Sequence, residues 1–174
     1  AAPFNVTYQW NRDDSPIVGA TGPTHTLAQA DVGAVITVTA SYLDGGGTAE
    51  SVTSAATTAV VNVNDAPVFT TPGSVNVPEN QTFALALNAT DPDGDLLTFS
   101  ISGGADQAKF DINSSTGILT FKSPPDFEAN ASAANDNAYV VTIQVTDGIS
   151  AVTQTVTVTV TNANDVPVIT TLDG

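Results

Sequence analysis

The sequence contains no cysteine, so neither a disulfide nor a thiolate metal site can stabilise its fold. Basic residues are also scarce, because three lysines and arginines stand against 18 acidic residues and leave a formal net charge of −15. A surface of that charge repels phosphate backbones and anionic membranes, and it attracts cations instead. No apolar run approaches the roughly 20 residues that span a bilayer as a helix. We therefore expect no nucleic-acid partner and no membrane insertion.

Residues typical of catalysis are equally sparse. His25 is the only histidine and no candidate nucleophile lies beside it, which favours a surface or packing role over that of a general base. Asp126 and Glu128 could in principle act as the paired carboxylates of a glycoside hydrolase, which stand roughly 5–10 Å apart. Two residues apart, however, they suit one metal ion better, and nothing in the sequence indicates an aromatic-walled cleft. We predict that the protein is not an enzyme.

One stretch is repeated along the chain. Residues 62–71 read NVNDAPVFTT and residues 162–171 read NANDVPVITT, an offset of about one compact domain. Self-similarity at a fixed spacing indicates a tandem array. The prediction is therefore a first unit, a polar linker, one complete repeat, and a second linker that leads into the next repeat, at 1–63, 64–67, 68–163 and 164–174.

Apolar residues alternate with a period of two almost everywhere, and Thr and Val dominate, which predicts an all-β protein. Seven short strands in about 100 residues are typical of a two-sheet sandwich. We expect the long polar loop 122–138 to lie outside them. The aromatic residues at alternating positions should be buried in the core: Phe83, Phe99, Phe110, Phe121 and Tyr139.

The first unit has a different pattern. A strand at 6–10 carries Trp10, a second strand is predicted at 24–27, and an Asp-x-Gly corner at Asp31 precedes an alternating strand at 35–42. This arrangement resembles the immunoglobulin-like repeats of very large bacterial surface proteins. Two strands normally precede the tryptophan strand in such a sandwich, so we expect this unit to be an incomplete sandwich that lacks its first two strands.

Acidic residues gather at the predicted strand ends beside the linkers. Asp91 and Asp93 are two apart, so on an extended backbone their side chains point the same way, and Asp126 and Glu128 repeat the arrangement. Carboxylate, amide and carbonyl oxygens are the ligands that calcium takes in sets of six to eight. An acidic turn without metal is the alternative, because Asp, Pro and Gly are common turn residues. The spacing does not fit an EF-hand loop.

Read in order, these motifs resemble the cadherin repeat over about residues 66–167. The set comprises Pro78-Glu79-Asn80, Asp91-x-Asp93, Phe110-Asp111-Ile112 with Thr116-Gly117-Ile118, Asp126-Phe127-Glu128, Asp147-Gly148 and Asn162-x-Asn164-Asp165. The resemblance implies a seven-stranded Greek-key sandwich, with calcium bound between consecutive repeats. Bacterial members of the family occur in giant secreted repeat adhesins of the RTX type and in some polysaccharide-degrading systems.

Carried over to this chain, the resemblance implies two half-sites for Ca²⁺. One comprises Asp91, Asp93 and Asp147 facing the linker residues Asn64 and Asp65. The other comprises Glu79, Asp126 and Glu128 facing Asn162, Asn164 and Asp165. Asp31 could add a ligand to the first half-site, but an aspartate at such a corner more often caps its own turn.

These observations predict a calcium-binding extender module of a large extracellular bacterial adhesin, whose junctions the ions make rigid. Its partners would be neighbouring repeats of the same longer chain. The alternative is a carbohydrate-binding or homophilic adhesion module, with surface glycans or another copy of the adhesin as partner. Sugar platforms usually present exposed aromatic faces, and most of the 11 aromatic residues here are expected to be buried.

Overall fold

The computed structural model describes residues 5–167, so positions 168–174 of the second linker and next repeat lie outside the described residues. Contacts divide the chain into two compact units, Ala1–Val63 and Asn64–Gly174. The described part contains thirteen strands, two 3-10 helices of three residues each and no α-helix, which confirms the prediction of an all-β protein. Within that part, no helix is long and apolar enough to cross a membrane.

The second unit is built around one long hairpin. Strand β12 spans Ala138–Thr146 and strand β13 spans Ala151–Thr161, and they pair antiparallel along nine residues. The period-two pattern turns every second side chain of β12 inward, from Tyr139 to Val145, and each of these is buried. Two opposite ends follow from this hairpin: β12 ends where the Asp147 turn begins, and β13 ends at the linker that starts at Asn162.

Two sheets enclose the core of this unit. One has the strand order β6-β13-β12-β9, where β6 is parallel to β13, and the other has the order β10-β11-β7. A two-stranded pair, β5-β8, adds to them. The remaining strands are β5 Val68–Phe69, β6 Ser74–Pro78, β7 Phe83–Ala86, β8 Ala89–Thr90, β9 Thr98–Gly103, β10 Phe110–Ile112 and β11 Ile118–Phe121. A single cluster of buried residues from both larger sheets fills the space between them.

Aromatic packing anchors this core. The rings of Phe110 and Phe121 lie 4.5 Å apart between centroids, and Tyr139 meets both of them edge-on. Such pairs add about 0.5–1.5 kcal/mol each beyond the area that they bury. Phe99 is also buried, so four of the five aromatic residues expected in the core lie there.

The prediction for Phe83 was wrong, because its side chain is 50% exposed. Ala84 takes the inward position of β7 and is buried, so strand alternation turns Phe83 outward. Strand β7 ends at Ala86, and the next residue, Leu87, then enters the core from the loop. Leu85 is half-buried against the core and Leu87 lies in it, so of these three alternating residues only Phe83 is exposed.

The first unit is a four-stranded sheet in the order β2-β1-β3-β4. Its strands are β1 Thr7–Arg12, β2 Ser15–Pro16, β3 Ile36–Leu43 and β4 Ala49–Thr53. The strand predicted at 24–27 does not form. Within the described residues β2 and β3 lie on the two sides of β1, and residues 24–27 pair with no strand.

The corner at Asp31 folds as the sequence predicts for a turn cap. Asp31 ends a 3-10 helix, Gln29–Asp31, and its carboxylate accepts a hydrogen bond from the Ala28 amide at 2.9 Å. Gly33 follows with a φ of +81°, which a residue with a side chain adopts only with strain. Arg12 and His25 also bind the carboxylate, which is fully buried. Both Asp31 oxygens are thus occupied inside the first unit, which favours the turn-capping role over that of a calcium ligand.

Candidate metal centres

One acidic cluster forms at the turn Asp91-Pro92-Asp93-Gly94, which follows β8. The Asp91 Oδ1 atom accepts hydrogen bonds from the backbone amides of Asp93 at 2.8 Å and Asp95 at 3.3 Å. The Gly94 amide donates to the Asp91 carbonyl at 3.2 Å, which closes the turn. One oxygen of Asp91 therefore holds the loop in shape, as an aspartate at a turn commonly does.

The same turn gathers three carboxylates. One oxygen from each of Asp91, Asp93 and Asp95 lies within 4.8 Å of the others, and we call these three residues the aspartate trio. The Asp91 Oδ2 and Asp93 Oδ1 atoms are shielded from solvent and accept no hydrogen bond. A buried oxygen without a hydrogen-bond partner is energetically costly, so a donor or a cation beside these two atoms would stabilise the turn.

The linker docks onto this end of the repeat. The Asp65 amide donates to Asp93 Oδ2 at 2.7 Å, and the Asn64 side-chain amide donates to Asp147 Oδ2 at 2.9 Å and to Ser150 Oγ at 3.1 Å. The hydrogen bond from Asn64, followed by that from the Ser150 amide, lowers the pKa of Asp147 although burial opposes the shift. We call the aspartate trio together with Asn64, Asp65 and Asp147 the head cluster.

A second acidic cluster lies where β6 and β13 end side by side. Glu79 follows Pro78, the last residue of β6, and is only 3% exposed. Its Oε2 accepts from the Phe127 amide and its Oε1 from the Ala163 amide, both at 2.8 Å. One buried carboxylate thus connects the end of the strand, the loop that carries Asp126 and Glu128, and the second linker.

Two more acidic side chains complete this end. Oxygens of Glu79, Asp126 and Glu128 lie within 4.8 Å of one another. The Asn162 side chain donates to Glu128 Oε1 at 2.6 Å, and the Asn80 side chain donates to an oxygen of Asp165 at 2.9 Å. We call Glu79, Asp126 and Glu128, together with the linker residues Asn162, Asn164 and Asp165, the tail cluster.

No basic side chain neutralises either cluster within residues 5–167. The ion pairs there join Asp31 to Arg12 and His25, and Asp111 to Lys122 at 3.9 Å. Carboxylates this close repel one another while they are charged, and a cation bound among them relieves that repulsion. Oxygen-only donor sets of this kind fit a hard divalent ion such as Ca²⁺, with the remaining ligands supplied by water or carbonyls. The residues of the head cluster and of the tail cluster therefore fit the calcium ion that the sequence implies.

The structure places the predicted residues at the two expected ends of the repeat. Asp147 reaches the head cluster through the linker side chain and is not one of the three converging carboxylates. Asn164 donates to the Asp165 carbonyl, and within residues 5–167 it makes no hydrogen bond to the acidic side chains of the tail. Sequence reasoning assigned no role to Asp95 or Asn80. Asp95 continues the alternation of Asp91 and Asp93, and Asn80 completes the Pro-Glu-Asn motif, so the sequence contains a pattern that includes each of them.

Comparison with protein families gives a match for the second unit. The model of the cadherin domain matches residues 73–161, which is half of the chain. Halomucin from Haloquadratum walsbyi is 38% identical over 72 residues, and human protocadherin-15 is 36% identical over 83 residues. These alignments cover 38% and 47% of this chain but only 1% and 4% of those two proteins. The chain thus spans a small fraction of the length of its curated relatives.

Solved structures give the same fold. The crystal structure of mouse cadherin-23 EC22-24 superposes with a TM-score of 0.55 and covers 90% of this chain and 53% of that one, at 22% sequence identity. At that identity the likeness supports the all-β architecture and no more.

Proposed function

Because the chain belongs to the cadherin family, we propose that its second unit is a calcium-binding structural module of an extracellular repeat protein. In this proposal the head cluster and the tail cluster each hold Ca²⁺ at one end of the repeat. The ligands are those predicted from the sequence: Asn64, Asp65, Asp91, Asp93 and Asp147 at the head, and Glu79, Asp126, Glu128, Asn162, Asn164 and Asp165 at the tail. The role of the module is structural and not enzymatic.

The proposal rests mainly on one observation about the head cluster. Asp91 Oδ2 and Asp93 Oδ1 are buried without a hydrogen-bond partner, and they belong to carboxylates that converge at a linker. An acidic turn without metal would direct such oxygens to solvent or to backbone amides, as Asp91 Oδ1 is directed here. The acidic-turn alternative therefore accounts for one oxygen of Asp91 and leaves the other unexplained.

A module of this kind acts as an extender in a long chain. Calcium at each end of a repeat cancels the repulsion between clustered carboxylates and fixes the linker that joins it to the next repeat. The array then resists bending, which suits a large adhesin on a cell surface. The similarity to halomucin, a prokaryotic protein, supports a prokaryotic setting for the array, and a bacterial adhesin of the RTX type is the form we propose.

The division of the chain belongs to the same proposal. Residues 1–63 are an immunoglobulin-like repeat without its first strands, 64–67 a calcium-binding linker, 68–163 the cadherin repeat, and 164–174 the linker to a following repeat. The four-stranded sheet of the first unit, with Trp10 on β1 and the Asp31 corner before β3, supports this division.

Calorimetric titration of the 174-residue chain with CaCl₂ tests the proposal. Extracellular modules bind calcium with dissociation constants of about 0.1–1 mM, and we expect saturable binding in that range. Asp93→Asn should abolish the head component, and Glu128→Gln should weaken the tail component. Asp111→Asn removes an exposed charge outside both clusters and serves as the matched control. Absence of saturable binding by the unmodified chain would refute the proposal.

The alternative of a carbohydrate-binding or homophilic module gains one observation from the structure. Phe83 exposes half of its side chain on the outer face of β7, where sequence analysis expected a buried residue. An exposed aromatic ring can stack against a sugar or a second copy of the chain. Phe83→Ala should then abolish glycan-array binding, or self-association in sedimentation velocity, while calcium binding persists. Unchanged behaviour in both assays removes this alternative.

A further inference from the structure

A pocket of about 380 Å³ lies at the open end of the β10–β11 hairpin, and both lysines of the chain line it. We call it the lysine pocket; Lys109, Lys122, Ser123 and Tyr139 are among its lining residues. Its volume falls within the range of small-molecule sites. We propose that the lysine pocket binds the carboxylate of a uronic acid, one sugar unit of an acidic polysaccharide. This inference goes beyond the proposed calcium-binding function and does not depend on a bound ion.

Strand pairing places the two lysines side by side. Phe110 begins β10, Phe121 ends β11, and these two residues pair, so Lys109 and Lys122 occupy the next opposite positions. The Lys122 backbone amide donates to the Lys109 carbonyl at 2.9 Å, which fixes the two residues together. Like charges at opposite positions repel each other. An anion bound between the two ammonium groups would relieve that repulsion.

The charges of these lysines are available to a ligand. Lys122 Nζ lies 3.9 Å from Asp111 Oδ1, and with side chains 50% and 70% exposed such a pair contributes little. Lys109 forms no ion pair within residues 5–167. Arg12, the remaining basic residue of the chain, is bound to Asp31 in the first unit. In a chain with a net charge of −15, the two positive charges without a close acidic partner therefore lie at one pocket.

Tyr139 adds a buried donor to the wall of the pocket. Its side chain is only 2% exposed, and the Ala131 backbone amide donates to its hydroxyl oxygen. Burial, with Asp106 nearby, raises the pKa of Tyr139, so the hydroxyl keeps its proton at neutral pH. Within residues 5–167 that proton has no acceptor, although a buried tyrosine hydroxyl usually finds one. Ala131 and Tyr139 both line the pocket, so a ligand oxygen there would supply the acceptor.

The rest of the lining favours a ligand that carries hydroxyl groups as well as a carboxylate. Asp126 lines the pocket, and its charge opposes a bare anion such as sulfate. The ring hydroxyls of a uronic acid can donate to Asp126 and accept from Ser123, whose hydroxyl makes no hydrogen bond within residues 5–167. Pro124 and Pro125 form a rigid apolar wall beside them. The acidic side chain of a peptide has no hydroxyl groups to offer Asp126, so the pocket suits a sugar better.

Two sugars that differ in one group test the proposal. Methyl glucuronide carries a carboxylate where methyl glucoside carries a hydroxymethyl group. Each is titrated into the isotope-labelled full chain in EDTA, so that the result is independent of calcium, and the backbone amides are followed by two-dimensional NMR. We expect saturable shifts at Lys122, Ser123 and Ala131 with the glucuronide and none with the glucoside. Equal effects of the two sugars, or no saturable shift at these amides, would overturn the proposal and leave the calcium-binding function untouched.

Variants of the lining residues locate the carboxylate. Tyr139→Phe removes a hydroxyl whose proton has no acceptor, so the fold should persist while glucuronide binding weakens about tenfold. Lys109→Gln removes the unpaired ammonium group and should weaken binding about threefold. Thr153→Glu changes the net charge by the same amount at an exposed position of β13 outside the pocket, and it should leave binding unchanged.

Two results would refute the assignment. If Tyr139→Phe and Lys109→Gln bind the glucuronide as tightly as Thr153→Glu does, the carboxylate is bound elsewhere. If the amide of N-acetylglutamate binds as tightly as the glucuronide, the pocket recognises a carboxylate of any source and the assignment to a sugar is wrong. The amide spectrum shows whether Tyr139→Phe is folded. Should it unfold, Lys109→Gln decides the matter, because that change affects only an exposed side chain.

Discussion

Asp31 is the buried carboxylate of the first unit, and two side chains depend on it. It binds the Arg12 guanidinium at 2.6 Å and the His25 ring at 3.1 Å while itself fully buried. Asp31→Asn removes the charge and leaves Arg12 without its partner, so we expect the free energy of unfolding of this unit to fall by about 3 kcal/mol. Urea unfolding followed by the fluorescence of Trp10, the only tryptophan, measures the change.

Asp14→Asn is the matched control for that substitution. Asp14 is exposed and has a φ of +62°, which asparagine tolerates well. It should therefore leave the urea midpoint unchanged to within about 0.5 kcal/mol. A loss for Asp31→Asn no larger than that of Asp14→Asn would show that the buried ion pair does not stabilise the unit.

The same residue makes the first unit sensitive to acid. Burial alone would raise the pKa of Asp31, but hydrogen bonds from the Ala28 amide, Arg12 and His25 outweigh it and hold the pKa below its usual value. The unfolded value is about 3.9, so the stabilisation is fully present above about pH 4 and is lost as the pH falls through the lower native pKa.

Trp10-monitored urea melts of the unmodified chain and Asp31→Asn, repeated from neutral pH to about pH 3, test this dependence. Other carboxylates titrate in the same range in both proteins, so the informative quantity is the difference between them. That difference should shrink as the pH falls below 4. A difference that stays constant down to pH 3 would contradict a lowered pKa at Asp31.

Among the elements, the turn between β10 and β11 has little room for change. Gly117 has a φ of +66°, and a Cβ atom added there would lie 2.4 Å from the carbonyl oxygen of Leu87. Gly117→Ala combines backbone strain with a steric clash, and we expect it to cost about 3 kcal/mol. Gly148 has a φ of +96° with nothing within 4 Å, so Gly148→Ala should cost only about 1 kcal/mol.

Calorimetric melting in EDTA measures both glycine variants, because chelator removes any effect that a change beside Asp147 has on metal binding. The second unit should lose clearly more stability in Gly117→Ala than in Gly148→Ala. Equal losses would mean that the Leu87 loop moves aside and that only the backbone conformation limits the turn.

Strand alternation made the elements of the second unit predictable, and its limits explain the errors. The β12–β13 hairpin is long, and its inward positions hold large apolar residues, so the pattern has one reading. Strand β7 has four residues, which is too short for a period of two to fix which face is buried. Phe83 was therefore assigned to the wrong side. The segment at 24–27 has strand-like composition but pairs with no strand in the described part of the chain, and composition does not record pairing.

The candidate sites were predictable for a different reason. A linker, a strand end and a turn each carry acidic residues close in sequence, so Asp91, Asp93 and Glu79 stand out without any knowledge of the fold. Asp95 and Asn80 lie in the same motifs but were assigned no role, because the contacts that they make depend on backbone geometry. A positive φ at Gly94 brings Asp95 back to the turn, and Asn80 itself has a φ of +65°. Local conformation, not composition, decides these contacts.

At the scale of the molecule, charge is the dominant feature. The 174 residues carry a net charge of −15, and such a charge opposes compaction through self-repulsion. Much of it is concentrated in the head cluster and the tail cluster, which lie at opposite ends of one hairpin. Bound divalent ions would therefore relieve repulsion at both ends of the second unit at once. Stability and calcium concentration should be coupled in this unit.

Melting curves in calcium and in matched sodium chloride distinguish bound ions from general screening. At 100 times the dissociation constant, one site adds about 2.7 kcal/mol to the free energy of unfolding, a concentration of about 10 mM for a site of 0.1 mM. About 30 mM NaCl gives the same ionic strength and screens exposed charges only weakly at this level. We expect CaCl₂ to raise the melting temperature of the second unit well beyond NaCl, and EDTA to reverse the rise. Equal effects of the two salts would mean that the acidic clusters respond to ionic strength and hold no ion.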